Sequence, residues 1–213
     1  MGQTASGMKV TLLAMTPQPE RVIERAARTC YQSVGRADDT SAATLLPKLL
    51  AMGHESPFEH AYATFCVSGC SRAMTHQLVR HRLMAVSQKS QRYVSEDAFE
   101  YVIPPSIPAA DVPEFRADMD AIRGMYRKWK DRGIRSEDAR FVLPNACATE
   151  LVISANFREY RQIFKVRCSP HAQWEIREAC RMMLEELCRH APNVFNDIRE
   201  AVCRPNDMPP ARG

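Results

Sequence analysis

A chain of 213 residues, 45% of them hydrophobic, can bury one substantial core, and length alone allows one domain or two small ones. The balance of 29 Lys and Arg against 25 Asp and Glu gives a formal charge of +4, which favours anionic ligands without demanding nucleic acid, and no run of eighteen apolar residues is present to cross a membrane. Eight cysteines without a charged-then-apolar leader point to reduced thiols in a cytoplasmic protein rather than to a disulfide framework.

The opening Met1-Gly2-Gln3-Thr4-Ala5-Ser6 fits the short myristoylation pattern but reads equally as an irregular start. Residues 10–15 predict a strand, and Pro19 opens a helix to residue 30 with Arg21, Arg25 and Arg28 facing out. Residues 40–52 predict a second helix closed by Gly53, with Pro47 arguing for a kink or a later start. Aromatic and β-branched residues at 62–67 predict a strand, and Ser71 caps a helix expected to reach residue 84. Residues 99–103 read as another strand, followed by an exposed connection carrying Pro104, Pro105, Pro108 and Pro113. Helices are expected at 114–132, stopped by Gly133, and at 136–141. A strand at 150–154 leads to a helix at 156–167, with Phe157, Tyr160 and Phe164 on its apolar face and Arg158, Gln162 and Lys165 on its polar one. Helices at 170–190 and 194–202 complete the chain.

Residues 71–93 carry Arg72, Arg80, Arg82, Lys89 and Arg92 and no acidic residue, so this segment reads as an anion site. On a helix to residue 84, Gln77, Arg80 and His81 would share one face while Met74 and Leu78 pack elsewhere. The following stretch is too small and polar to bury itself, yet it ends in Ser90-Gln91-Arg92-Tyr93, able to hold a phosphate and stack a ring. Cys66, Cys70 and His76 lie close in sequence, but no CxxC pair occurs, so no metal site is expected.

Arg80-His81-Arg82, seven residues and then Ser90 with Gln91-Arg92-Tyr93 closely resemble the signature of the flavin-dependent thymidylate synthases. Gly53-His54-Glu55-Ser56-Pro57-Phe58-Glu59-His60 resembles that family's GHxxPFEH loop. Ala139-Arg140-Phe141-Val142-Leu143-Pro144 resembles its ARxxLP stretch, and His171-Ala172-Gln173-Trp174-Glu175-Ile176 its HAQWEI helix start. The resemblance implies an α+β fold with helices flanking a small antiparallel sheet, a single domain over residues 1–213, and a homotetramer whose active sites draw on more than one subunit. It implies FAD reduced by NADPH, methylenetetrahydrofolate as carbon donor and dUMP as acceptor. A hydride donor must be a cofactor in any case, because no side chain delivers hydride.

Transferred residue by residue, the nucleotide side falls on Gln77, Arg80, Gln88, Ser90, Gln91, Arg92, Arg140 and Arg167. The flavin side falls on His54, Ser56, Glu59, Arg80, His81, Arg82, Asn156, Arg158 and Gln162, with His171 as a further candidate. Arg167 is expected to polarise the pyrimidine, and Ser90 to bind phosphate or ring rather than to attack, since no His-carboxylate pair is visible to activate it. Ala85-Val86 stand where many relatives have Ser-Tyr, Gln88 where some have Glu, and Glu150 where a basic residue is frequent. Those departures keep open a paralogue methylating UMP, alone or with dUMP. A non-enzymatic nucleic-acid binder is a third reading, weakened because Tyr93 is the only aromatic in the basic block.

Overall fold

The computed structural model describes residues 7–202, so the myristoylation-like start and Cys203 lie outside the described residues. Among these, the elements run β1 (Lys9–Met15), α1 (Pro19–Cys30), α2 (Ser41–Ala51), β2 (Tyr62–Ser71), α3 (Arg72–Leu78), β3 (Met84–Gln88), α4 (Val112–Asp131), α5 (Ser136–Ala139), β4 (Ala148–Asn156), α6 (Phe157–Arg167), α7 (Trp174–His190) and α8 (Pro192–Val202). The strands form one antiparallel sheet in the order β1-β2-β4-β3, the α+β architecture expected. Among the described residues no helix is long and apolar enough to cross a membrane.

The described chain divides into two compact units, one of residues 7–9, 67–80 and 87–152, the other of residues 10–66, 81–86 and 153–202. In the first, Phe99, Met119 and Cys147 form a buried cluster against which Tyr101, Phe115 and Leu143 pack. Burial pushes the Cys147 thiol up to about 12, so it stays protonated and packs as a small hydrophobe. Arg123 donates from Nε to the Phe99 carbonyl (3.1 Å) with its guanidinium over the Phe99 and Tyr101 rings. The buried alternation of β2 skips one position at Gly69, whose φ is +70°. A Cβ there would sit 3.0 Å from the Gly7 carbonyl oxygen, so glycine serves both the backbone conformation and the close approach.

In the second unit Phe157, Tyr160 and Phe164 are fully buried along α6, with Phe195 of α8 edge-on to Phe157 and Phe164, while Arg158, Gln162 and Lys165 are exposed, as the helical spacing predicts. Glu159 and Arg161 are buried as well. The two terminal nitrogens of Arg161 form a bidentate pair with Asp197 (2.8 and 2.7 Å), which ties α6 to α8, while its buried Nε has no hydrogen-bond partner among the described residues.

Five expectations need correction. The helix from Ser71, capped by the Ser71 Oγ that accepts the Met74 N–H, stops at Leu78 rather than continuing to residue 84, because residues 84–88 pair as the edge strand β3 instead. Strand 99–103 shrinks to a single bridge, Tyr101 with Cys147, since Pro104 and Pro105 supply no amides to extend it. α7 starts at Trp174 and not at Pro170, because the Gln173 side chain accepts the Glu175 and Ile176 N–H groups and so fixes the helix start. Arg28 does not face out: its Nε donates to the buried Glu24 (2.8 Å). Pro47 sits inside α2, so the later start does not occur.

Candidate active site

Just past the end of α2 stands Gly53, whose φ is +73°; its N–H donates to the Leu50 carbonyl (3.0 Å), and the His54 N–H donates to that of Leu49 (2.9 Å). Paired bonds around a left-handed residue satisfy a helix end, and glycine adopts that conformation without strain. The chain then enters a 3-10 turn, Ser56–His60, pinned by the fully buried Phe58. This turn carries Ser56 and Glu59 of the expected flavin set. Arg158 of the same set pairs with Glu59 and lies 3.6 Å from Glu55, so its charge is already engaged by carboxylates. His54, Ser56 and Arg158 line one cleft of about 370 Å³. His54 also lines a second, of about 430 Å³, with Arg28, Arg36 and Lys48 and no acidic side chain. Asn156 caps α6, its Oδ1 accepting the Glu159 N–H (2.8 Å). Gln162, Arg82 and His171 are exposed.

Also in the second unit, Arg167, the last residue of α6, donates from Nε to His81 Nε2 (3.0 Å). The other ring nitrogen, Nδ1, lies 3.9 Å from Glu159 Oε1, with the His81 and Glu159 side chains only 11% and 9% exposed. Burial first, and the Arg167 charge second, hold the His81 pKa below its ordinary value. A neutral imidazole accepting at Nε2 carries its proton on Nδ1, toward Glu159, whose own pKa is raised by burial. Cys180 of α7 feels the Arg167 charge too, but burial keeps it a neutral thiol.

In the first unit, Gln88 Nε2 donates to Thr75 Oγ1 (3.0 Å) and Thr149 Oγ1 (3.3 Å), both residues buried. Ser90 Oγ accepts the Arg92 N–H (3.2 Å), and Gln91 is buried. Glu137 gathers two of the expected nucleotide ligands: it pairs through its carboxylate with Arg92 (2.7 Å) and Arg135 (2.7 Å), while its carbonyl accepts Arg140 Nε (3.1 Å). The Arg92 hydrogen bond, and then the Arg135 charge, hold the Glu137 carboxyl below the usual range.

The single helical face expected for Gln77, Arg80 and His81 does not exist. Gln77 is on α3, Arg80 lies exposed beyond its end, and His81 belongs to the other unit. Nor does the basic block present five outward charges. Arg72 turns to the Lys89 carbonyl (3.4 Å), and Lys89 lies 2.9 Å from Glu96, a carboxylate 1% exposed. That pair has the distance of an ion pair without hydrogen-bond geometry at Oε1. Ala85 and Val86 are exposed on β3. Sequence reasoning missed Glu137 and Glu159. The first was findable as the acid beside Arg135 and Arg140, the second as the carboxylate three residues after the capping Asn156. Among the described residues no cluster of three or more His, Cys, Asp or Glu could hold a metal.

The sequence profile of the family described as thymidylate synthase complementing protein matches residues 11–193. A protein of Geobacter sulfurreducens named flavin-dependent thymidylate synthase is 44% identical over 202 residues, covering 89% of this chain and 86% of its own. One of the same name from Clostridium tetani is 41% identical over 213 residues with the same coverage. Another from Pyrococcus furiosus is 38% identical over 207 residues, covering 92% of this chain and 83% of its own.

Proposed function

The chain belongs to the thymidylate synthase complementing family, and from that premise we propose that it is the enzyme that reductively methylates the uracil ring of dUMP to dTMP, with methylenetetrahydrofolate as carbon donor and NADPH as reductant of FAD. The observation that carries this reading is the hydrogen bond from Arg167 Nε to His81 Nε2. A neutral acceptor orients the guanidinium without adding an opposing charge, and an oriented cation is what a pyrimidine needs when its ring nitrogen shares or loses a proton and carbon five becomes nucleophilic.

The bound flavin supplies the hydride that completes the methyl group. The side chains fit such a dinucleotide: the cleft lined by Arg28, Arg36, Lys48 and His54 offers Arg36 and Lys48 to a diphosphate with no carboxylate in its lining, Arg28 being held by Glu24, and Ser56 and Arg158 line the neighbouring one with Glu55. Arg80, His81, Arg82, Asn156 and Gln162 complete the flavin set, and Glu59 acts through Arg158. Gln77, Arg80, Gln88, Gln91, Arg92 and Arg140 hold the nucleotide. Ser90 binds rather than attacks, because its Oγ accepts a backbone N–H and meets no His or carboxylate base among the described residues. Residues 1–213 act as one catalytic domain within a homotetramer that shares its sites between subunits, since so short a chain encloses three ligands more readily in clefts between copies. A reduced, cytoplasmic setting suits the seven cysteines among the described residues.

The test is to purify the protein with its flavin, add NADPH, methylenetetrahydrofolate and either dUMP or UMP, and compare kcat/KM for the two nucleotides. Formation of dTMP with dUMP preferred is expected, together with some turnover of UMP from the smaller Ala85-Val86 pair. A colourless protein that takes up no flavin contradicts the reading, and a preference for UMP replaces it with the ribonucleotide one.

A further inference from the structure

Glu159 is the residue whose placement the reaction does not require and ordinary packing does not explain. It occupies the third position of α6 behind the capping Asn156, where a capping-box carboxylate would reach back to the helix start. Here its Oε1 lies 3.9 Å from His81 Nδ1, and the residue is 7% exposed. Removing a carboxylate from water without a full hydrogen bond is unfavourable, so its position calls for a return elsewhere.

That return lies in the tautomer of His81. A neutral imidazole has one donor and one acceptor nitrogen, and an isolated ring divides its proton between the two. Only the form with the proton on Nδ1 leaves Nε2 free to accept from Arg167, and an oxygen facing Nδ1 selects that form. The gap of 3.9 Å exceeds a direct hydrogen bond and suits one bridged by water or tightened when the site fills.

We infer that Glu159 is a positioning residue for the reaction proposed above: it holds the His81 proton on Nδ1 and thereby keeps Nε2 as the acceptor that aims Arg167. The inference rests on that reading for its consequence in the reaction, but the tautomer can be read without any turnover.

The experiment labels the histidines of the flavin-loaded protein with nitrogen-15 and records long-range nitrogen–proton correlations, with His81 assigned by its loss in His81→Asn. In the native protein His81 is expected in the Nδ1-H form, and in Glu159→Ala as a mixture of both. Single-turnover methyl transfer from pre-reduced flavin is expected to fall about tenfold in Glu159→Ala, less than the roughly hundredfold that a 1 Å misplacement brings. NADPH-driven flavin reduction and nucleotide KM should stay within about twofold, and Glu159→Gln, which keeps an acceptor oxygen, should recover most of the loss. A native His81 protonated on Nε2 overturns the inference whatever the enzyme's activity. So does a Glu159→Ala protein in which flavin reduction and methyl transfer fall together, or a Glu159→Gln protein no better than Ala. Absence of dTMP formation by the native protein alongside an Nδ1-H histidine would instead leave the tautomer assignment standing and remove the parent reading.

Discussion

Two sets of candidate-site arginines, one in each unit, are held in opposite ways, although other arginines of the second unit, Arg158 and Arg161 among them, also pair with carboxylates. In the first, Arg92 and Arg135 converge on the Glu137 carboxylate and Arg140 on its carbonyl, so these cations are stored against a charge that an incoming anion must displace or share. In the second, Arg167 is oriented by the neutral ring of His81. The contrast separates two jobs that arginine does. Holding a phosphate tolerates a competing carboxylate, because the bonds are exchangeable and partly exposed. Stabilising charge that develops on a ring needs a donor fixed in place before the reaction begins.

The strongest way to break the comparison is Arg167→Ala. Methyl transfer from pre-reduced flavin should fall by about 100- to 1,000-fold while NADPH-driven flavin reduction survives, as for loss of a donor that acts on the transition state. Rapid-mixing measurement of the two half-reactions decides it: loss of flavin reduction with transfer intact would give Arg167 the wrong role. A smaller effect is expected from Gly53→Ala. Nothing lies within 4 Å of the added Cβ, so its penalty is the left-handed backbone alone, about 1 kcal/mol, seen as a lower Tm and weaker flavin retention. An unchanged Tm would mean that this helix closure does not set the position of His54. The smallest effect sharpens the contrast directly: Glu137→Gln removes the carboxylate that competes for Arg92, so the KM for dUMP should fall about two- to threefold with kcat unchanged. A higher KM would show that Glu137 presents Arg92 instead of competing for it.

Much of this was legible in the sequence because it was local. The apolar face of α6 follows from spacing, the start of α1 from Pro19, and the end of α2 from Gly53. The helix expected through residue 84 failed because strand pairing between β3 and β4 is a long-range event that helix propensity does not register. With it went the shared face of Gln77, Arg80 and His81. The partners of the expected residues were harder still. Arg167 and His81 are 86 positions apart in sequence, and Arg92 and Glu137 are 45 apart. No periodicity encodes such pairings, so motif spacing can nominate Arg92 and Arg167 but cannot reveal that one is held by a carboxylate and the other by an imidazole.

The central claim is that a neutral His81 aims Arg167, and its most direct test is the pH dependence of single-turnover methyl transfer with pre-reduced flavin. The charged or titratable groups facing His81 are Arg167 and Glu159, and the His81 pKa lies below its ordinary value of 6.5. The acceptor form therefore prevails at neutral pH, and protonation on the acid side turns Nε2 into a donor facing a guanidinium. The account predicts a rate that falls as pH drops, with a midpoint below 6.5, and loss of that acid limb in His81→Asn, whose side-chain oxygen can accept from Arg167 without titrating. An identical acid limb in both proteins would contradict it.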